Sequence, residues 1–150
     1  MLGCNNIKLA PLFSSFWAGM VVAISFLEAW LKFQAEGVTL QIGLSIGKLV
    51  YSALNRVELI LMVLIWVVLL PLSRQMGRVI FQNFIFCIVT VILLVQTVFL
   101  LPVLTTRADL IVDGFQPGAS HVHFWYVGLE IAKVVLLIIF SVNCRFATDS

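Results

Sequence analysis

The chain carries four apolar segments that are each long enough to cross a lipid bilayer. They cover residues 9–33, 44–70, 78–101 and 120–143. A helix rises about 1.5 Å per residue, so about 20 apolar residues span a hydrocarbon core of about 30 Å. The segments therefore predict an all-α fold, a four-helix transmembrane bundle with short hairpin connections, in a single membrane domain over residues 1–150.

Composition agrees with this class. Hydrophobic residues make up 62% of the chain, charged residues only 11%, and the mean hydropathy is +1.13. A soluble domain of this size needs far more polar surface, so the expected partner is the lipid bilayer. The net charge of +2 is small and scattered, which argues against nucleic-acid binding. Cys4, Cys87 and Cys144 are far apart and lack metal-ligand spacing, so we expect free thiols and no bound cofactor or metal.

Prolines predict where the helices end. Pro71 follows the second segment, Pro102 follows the third, and Pro117 with Gly118 precedes the fourth. Proline lacks the backbone N–H that a helix interior requires, so it favours helix boundaries. The third helix is therefore expected to end near residue 101.

The three connections differ in character. Residues 34–43 are polar and contain glycine, and residues 72–77 are short and basic, which predicts a tight hairpin between the second and third helices. Residues 105–118 are expected to form a long acidic loop. Within it, the apolar stretch 110–112 is interpreted as a turn at the membrane interface.

The distribution of basic residues predicts the orientation. Lys8, Arg74, Arg78 and Arg145 lie near the helix ends on one side, whereas the cations of the other side are accompanied by acids. Lysine and arginine are enriched on the cytoplasmic side. We therefore expect a multi-pass protein of a bacterial inner (plasma) membrane with both termini in the cytoplasm. The first segment is interpreted as a retained helix rather than a signal peptide.

Three carboxylates lie inside the apolar segments, and each is close to a cation in the sequence. They are Glu28, Glu58 and Glu130. An ionisable group at the centre of a membrane costs about 2.5–3.5 kcal/mol by insertion scales, and such residues usually face a bundle interior or a wet cavity. These carboxylates are therefore the centre of the predicted site.

Helical spacing places further polar residues beside the carboxylates of the first two segments. Glu28 and Lys32 are four positions apart and share a face. Asn55 and Glu58 are three apart, on a stripe that continues upward through Lys48 and Tyr51. Arg56 points away from this stripe, toward a neighbouring helix or the surface.

The fourth segment carries a longer stripe of the same kind. His123, Tyr126, Glu130 and Lys133 recur at spacings of three, four and three, so one face of the helix presents four polar groups. The candidate ligand- or proton-binding residues are therefore Glu28, Asn55, Arg56, Glu58, Gln96, Arg107, His123, Tyr126, Glu130 and Lys133.

Two further expectations follow from this set. The three carboxylates are expected to be balanced by Arg56, Lys133 and Lys32, and Glu58 and Glu130 are expected to share one network near mid-membrane. Arg107, in the predicted last loop, is expected to cap Glu28 or Glu58 or to attract an anion. Because the polar residues fall mostly in the outer half, they predict a cavity that opens outward rather than a pore.

The sequence also resembles small bacterial four-helix membrane proteins of unassigned function. The resemblance lies in SFWAGMVVAISFLEAWLKF (15–33), ALNRVE (53–58), R-x-D at 107–109 and H-x-x-x-x-Y-V-x-L-E-x-x-K (121–133). It covers most of the chain and implies a fold type but no chemistry. Lys32-Phe33 and the N-x-x-E of Asn55 and Glu58 are also similar to motifs of the microsomal glutathione-transferase and leukotriene-synthase family, although Lys48 is the only basic residue before N-x-x-E and the family's arginine and tyrosine pattern in the third helix is absent.

Three classes of function stay open on the sequence alone. The first is a protein that binds or moves a small polar solute or a proton through an outward-facing polar cavity. The second is a membrane enzyme, either thiol-transferase-like or metal-dependent, with carboxylate and imidazole ligands. The third is a non-catalytic structural or accessory subunit, in a homo-oligomer or a larger membrane complex, whose buried ion pairs specify helix register.

Overall fold

A computed structural model describes residues 9–69, 77–118 and 120–148, with side chains described for 9–69, 83–118 and 120–144. Four helices account for almost all of these residues, and no strand occurs among them, which confirms the predicted fold class. Helix α1 covers Leu9–Gln34 and α2 covers Leu40–Leu69. Helix α3 runs through three consecutive parts, Gly77–Val95, Gln96–Leu100 and Leu101–Val112, and α4 covers Val122–Thr148. Each helix contains a stretch that is long and apolar enough to cross a membrane.

The packing of the helices defines two ends of the bundle. We call upper the end where α1 passes to α2 and α3 passes to α4, and lower the end where Leu9, Leu69 and Gly77 lie. Helix α1 packs against α4 and α2. The lower part of α3 packs against α4, whereas its upper part packs mainly against α2. Helix α3 therefore changes its main neighbour along its length, from α4 below to α2 above.

The predicted end of the third helix at Pro102 is wrong, because α3 continues to Val112. Residues Gln96–Leu100 form a π-helical turn, in which the Leu101 N–H donates to the carbonyl of Gln96, five residues earlier. Pro102 then occupies the first turn of the next α-helical part, where its missing N–H is tolerated. The expected interfacial turn at 110–112 is part of the same helix.

Helix α2 also begins earlier than predicted, at Leu40 rather than at residue 44. Thr39 stands just before it, and its hydroxyl accepts a hydrogen bond from the Ile42 N–H at 3.3 Å. Such a side-chain cap satisfies one of the free donors of a first turn. The polar stretch is consequently short, and Gly43 lies inside the helix rather than in a loop.

Aromatic side chains dominate the core of the lower half. The Phe86 ring is fully buried and lies 5.3 Å from the ring centres of Trp66 and Phe140 and 6.3 Å from that of Trp17. Buried aliphatic residues, Ile65, Leu93 and Leu137 among them, surround this group. The core of this half is therefore mainly apolar.

The outer surface is apolar as well. Large exposed apolar side chains occur on every helix, including Phe16, Leu49, Val67, Phe99 and Ile138. Exposed apolar surface on this scale is suited to lipid rather than water. Together with the four spans it makes this a multi-pass membrane protein.

Several residues used for the orientation and the thiols cannot be placed by this structure. Cys4, Lys8, Pro71 and Arg74 lie outside the described residues. Arg78 and Arg145 lie in helices, but their side chains lie outside the described part. Cys87 is exposed and Cys144 is buried, both as free thiols.

Candidate functional site

A lysine at the centre of the bundle holds two carboxylates from different helices. Lys133 Nζ of α4 lies 2.5 Å from Oε1 of Glu58 on α2 and 2.8 Å from Oε1 of Glu130, one turn earlier on its own helix. All three side chains are at most 1% exposed. The prediction that Glu58 and Glu130 share one network is thus confirmed.

Helix α3 joins this group through one amide. Gln96 Oε1 accepts a hydrogen bond from Lys133 Nζ at 2.9 Å, and Gln96 Nε2 donates to Glu130 Oε1 at 2.9 Å. Glutamine can donate and accept at once, so a single side chain satisfies both the cation and the anion. Gln96 is itself 1% exposed.

Helix α1 completes the group with two neutral donors. Trp17 Nε1 donates to Glu58 Oε1 at 2.8 Å, and Ser25 Oγ donates to Glu130 Oε2 at 3.3 Å. We call Trp17, Ser25, Glu58, Gln96, Glu130 and Lys133 the central cluster. Every one of the four helices contributes to it.

Two of the helices change their winding where they contribute to the central cluster. Residues Val22–Glu28 of α1 and Gln96–Leu100 of α3 are π-helical, and they contain Ser25 and Gln96. A π-turn inserts an additional residue per turn, so it rotates the faces of the helix above it relative to those below, and such turns occur frequently at functional sites. Both polar side chains of the cluster that come from these turns, Ser25 and Gln96, are buried in the bundle.

The charges of the central cluster do not balance when both carboxyls are ionised. Glu58 and Glu130 then contribute two negative charges and Lys133 contributes one positive charge. Moreover, Oε2 of Glu58 is buried and has no hydrogen-bond partner among the described residues. An ionised oxygen without a donor in an apolar interior is costly, so this atom marks the position of highest electrostatic cost.

The expected balance by Arg56 is wrong, because Arg56 is exposed on the outside of α2. Arg56 lies two positions before Glu58, and a helix turns about 200° over two residues, so the two side chains point in nearly opposite directions. Lys32, by contrast, does balance one of the three carboxylates, since it pairs with Glu28 at 3.4 Å, outside the central cluster.

Asn55 and Tyr126 lie directly beside the central cluster. Asn55 Oδ1 accepts a hydrogen bond from Thr97 Oγ1 at 2.8 Å, which ties α2 to α3. Tyr126 is buried, and its ring meets that of Tyr51 edge to face, with centres 5.8 Å apart. The predicted stripes of α2 and α4 therefore face one another.

A cavity of about 210 Å³ lies above this tyrosine pair, and we call it the upper cavity. Tyr51 and Tyr126 line it, together with Lys32, Lys48 and His123. The Tyr51 hydroxyl also donates to the Ser25 carbonyl at 3.4 Å, and the Ser25 hydroxyl contacts Glu130. The tyrosine pair thus forms the layer between the upper cavity and the central cluster, and it contacts the cluster at Ser25.

The structure places the remaining candidates at the upper end. Arg107 donates to the carbonyl of Gly118 at 2.5 Å, so it ties α3 to the following connection instead of capping Glu28 or Glu58 as expected. Lys48 pairs with Asp109 at 2.5 Å, with both side chains partly exposed. His123 is exposed at the rim and is separated from the central cluster.

Trp17 was missed by the sequence reasoning, although a signal was available. Tryptophan usually lies at membrane interfaces, where its ring N–H can find a polar partner. Trp17 lies eight positions into α1, about 12 Å along the helix from its start. A buried tryptophan at that depth needs an acceptor, and the carboxylates were the nearest candidates by depth.

Comparisons with known proteins add no further site. No protein-family model, no curated protein and no solved structure matches the chain. The resemblance to small bacterial four-helix proteins therefore stays a prediction. Among the described residues, no three histidine, cysteine, aspartate or glutamate side chains come together in a way that could hold a metal ion.

Proposed function

We propose that this protein binds an exchangeable proton inside the membrane, in the central cluster. The observation that carries the proposal is the sharing of one buried ammonium, that of Lys133, by the carboxyls of Glu58 and Glu130. One proton on either carboxyl makes the cluster electrically neutral. The other polar groups of the cluster, Trp17, Ser25 and Gln96, carry no charge.

The physical reason is the cost of an uncompensated charge. Each ion removed from water costs several kcal/mol, and only close pairing returns that energy. Two carboxylates that share a site cannot both ionise easily. The nearest other titratable groups are Tyr51 and Tyr126 above the cluster, both neutral, and the ion pair of Glu28 with Lys32.

The proposed route for the proton leads from the upper cavity. The layer between the cavity and the cluster carries the hydroxyls of Tyr51 and Tyr126, and Ser25 at the top of the cluster carries another; hydroxyls can both donate and accept hydrogen bonds. Below the cluster, in contrast, the core is mainly apolar, with Phe86, Leu93 and Leu137, and the hydroxyls of Thr90 and Ser141 there donate to backbone carbonyls of the bundle. This arrangement supports proton exchange with the upper side of the bundle.

Infrared spectroscopy of the purified protein tests the proposal. We expect a carboxylic-acid C=O band at neutral pH that shifts when H₂O is replaced by D₂O. The band should disappear in Glu58→Gln or in Glu130→Gln, whereas Glu36→Gln, an exposed carboxylate, serves as the matched control. A spectrum with ionised carboxylates only would overturn the proposal.

We also propose that the upper cavity opens outward from a bacterial inner membrane, with both termini in the cytoplasm. The support is the basic set Lys8, Arg74, Arg78 and Arg145. In a cysteine-free background, an impermeant thiol reagent added outside should label Glu36→Cys and Phe115→Cys but not Gln75→Cys. Labelling of only the last variant would reverse the orientation.

A second candidate is a purely structural role, and one observation favours it. The central cluster takes a hydrogen bond or ion pair from every helix, so it could specify the register of the bundle. Ser15 Oγ and Ser141 Oγ lie 2.7 Å apart across α1 and α4 and can report that register. A disulfide between Ser15→Cys and Ser141→Cys is expected to form when the central cluster is intact. If the role is structural, this disulfide should fail to form when Glu58→Gln, Glu130→Gln and Lys133→Met are added together. Unchanged disulfide formation would reject this candidate.

A further inference from the structure

The ammonium group of Lys32 lies in the wall of the upper cavity, in a position that several contacts define. The side chain of Lys32 is only 10% exposed, and its Nζ lies 5.6 Å from the ring centres of both Phe33 and Tyr51. Ring faces attract an ammonium through their quadrupole. Among the described residues, the carboxylate that pairs with it is Glu28, at a long 3.4 Å.

Two glycines of α2 make room for this arrangement. A Cβ atom at Gly47 would lie 2.7 Å from Lys32 Nζ, and one at Gly43 would lie 2.1 Å from Cε1 of Phe33. Real Cβ contacts are never so short, so any other residue at these positions would displace the lysine or the ring. The close approach of the ammonium to α2 therefore depends on glycine at position 47.

The lining of the upper cavity favours an anion with an apolar body. Besides Tyr51 and Tyr126, its ionisable lining residues are Lys32, Lys48 and His123, and the carboxylates that pair with the two lysines, Glu28 and Asp109, are not among the lining residues. Leu44, Leu101 and Leu104 provide much of the remaining wall. Ligand pockets usually measure about 300–1,000 Å³, so a cavity of about 210 Å³ suits a small molecule.

We propose that the upper cavity binds a small monocarboxylic acid, with its carboxylate on Lys32 Nζ and its apolar body against Leu44, Leu101 and Leu104. A lysine has three N–H donors, and Glu28 engages one of them, so a second carboxylate can bind without breaking the existing pair. Lys32 is opposed by Glu28 and Lys48 by Asp109, so the bound carboxylate adds one net negative charge, and its binding rests on the remaining N–H donors of Lys32 and on the apolar wall. This binding site is separate from the proton site of the central cluster.

Titration calorimetry of the detergent-solubilised protein with benzoate tests the proposal. Benzamide has nearly the same shape and no charge, so it isolates the contribution of the carboxylate. Hydrogen bonds to charged groups contribute about 1.5–3 kcal/mol, so benzoate should bind about tenfold or more tightly than benzamide. Equal affinities, tighter binding of benzylamine, or no binding of benzoate would overturn the proposal.

A pair of glycine variants locates the site. Gly47→Ala displaces only the far end of the Lys32 side chain, so the bundle should stay folded while benzoate affinity falls about tenfold. Gly128→Ala is the matched control, because no atom lies within 4 Å of the added Cβ, and its benzoate affinity should be unchanged. Lys32→Met should weaken benzoate as Gly47→Ala does, and benzoate affinity unchanged in Lys32→Met would overturn the assignment. The infrared test of the proton site is done without benzoate, so either proposal can fail independently of the other.

Discussion

The two halves of the bundle are held together by different interactions. At and above its middle, side chains from all four helices meet in an ion pair and hydrogen bonds around Lys133. In the lower half, aromatic rings pack around Phe86, and the polar contacts there, such as Trp66 Nε1 to Thr90 Oγ1 at 3.0 Å, join neutral groups. Among the side chains that the structure describes, the charged ones thus lie at or above the middle of the bundle.

This difference has a consequence for stability and for access. In a membrane the helices are already surrounded by apolar lipid, so van der Waals packing and interhelical hydrogen bonds, rather than removal from water, join them. In the lower half, apolar and aromatic packing holds the helices together. The central cluster depends on charge, so the loss of any one member costs more, and it lies directly below the upper cavity.

The largest effect is expected for Lys133→Met. It removes the ammonium and leaves Glu58 and Glu130 without their cation, and loss of one partner of a buried ion pair typically costs about 3–5 kcal/mol. Unfolding in a mixed detergent series measures the change in the free energy of unfolding. Lys48→Met is the control, because its partly exposed pair with Asp109 should contribute about 0–1 kcal/mol. Similar losses of unfolding free energy in Lys133→Met and Lys48→Met would contradict the difference between the central cluster and the upper rim.

The next effect is expected for Phe86→Ala in the lower half. Truncation of a buried phenylalanine leaves a cavity and costs about 3 kcal/mol, at the low end of the range for soluble cores, because lipid replaces water as the reference. The same unfolding assay applies, with Phe84→Ala as the control, since Phe84 is 62% exposed. A neutral outcome for Phe86→Ala would mean that the lower half does not hold the bundle closed.

A matched pair of tryptophans compares the two halves more finely. Trp17→Phe removes the donor to the Glu58 carboxyl and should cost about 1–3 kcal/mol, because a buried acceptor loses a hydrogen bond. Trp66→Phe removes the donor to the neutral hydroxyl of Thr90 and should cost about 0.5–1.5 kcal/mol. Chemical unfolding followed by circular dichroism measures both. The reverse ranking would contradict the electrostatic account of the cluster.

The smallest effect is expected for Arg56→Gln. Arg56 is exposed and lies outside the central cluster, so the change should stay within about 0.5 kcal/mol of the parent in the free energy of unfolding. The comparison is Glu58→Gln, two positions away, which should couple to Glu130→Gln by about 0.5–3 kcal/mol in a double-mutant cycle. A large loss of unfolding free energy in Arg56→Gln would indicate that Arg56 has an interaction partner on the outer face of α2.

Some features could be predicted from the sequence because they depend only on the residues of one segment. The number and type of the spans follow from runs of apolar residues, and the burial of Glu58 and Glu130 follows from their position within such runs. The facing stripes of α2 and α4 follow from helical periodicity, which holds wherever a helix keeps 3.6 residues per turn. The helix boundaries at Leu40 and Val112 were less accessible, because a threonine cap and a π-turn outweighed the glycine and proline signals.

The partners of each charge were decided only by the tertiary structure. Whether Lys133 reaches Glu58, whether Trp17 turns toward the same carboxylate, and whether Arg56 faces inward all depend on the rotation of each helix about its axis. That rotation results from the packing of all four helices at once and is altered by the π-turns at Val22–Glu28 and Gln96–Leu100. The sequence by itself determined that buried carboxylates need partners, and the packed bundle determined that two of them share one lysine.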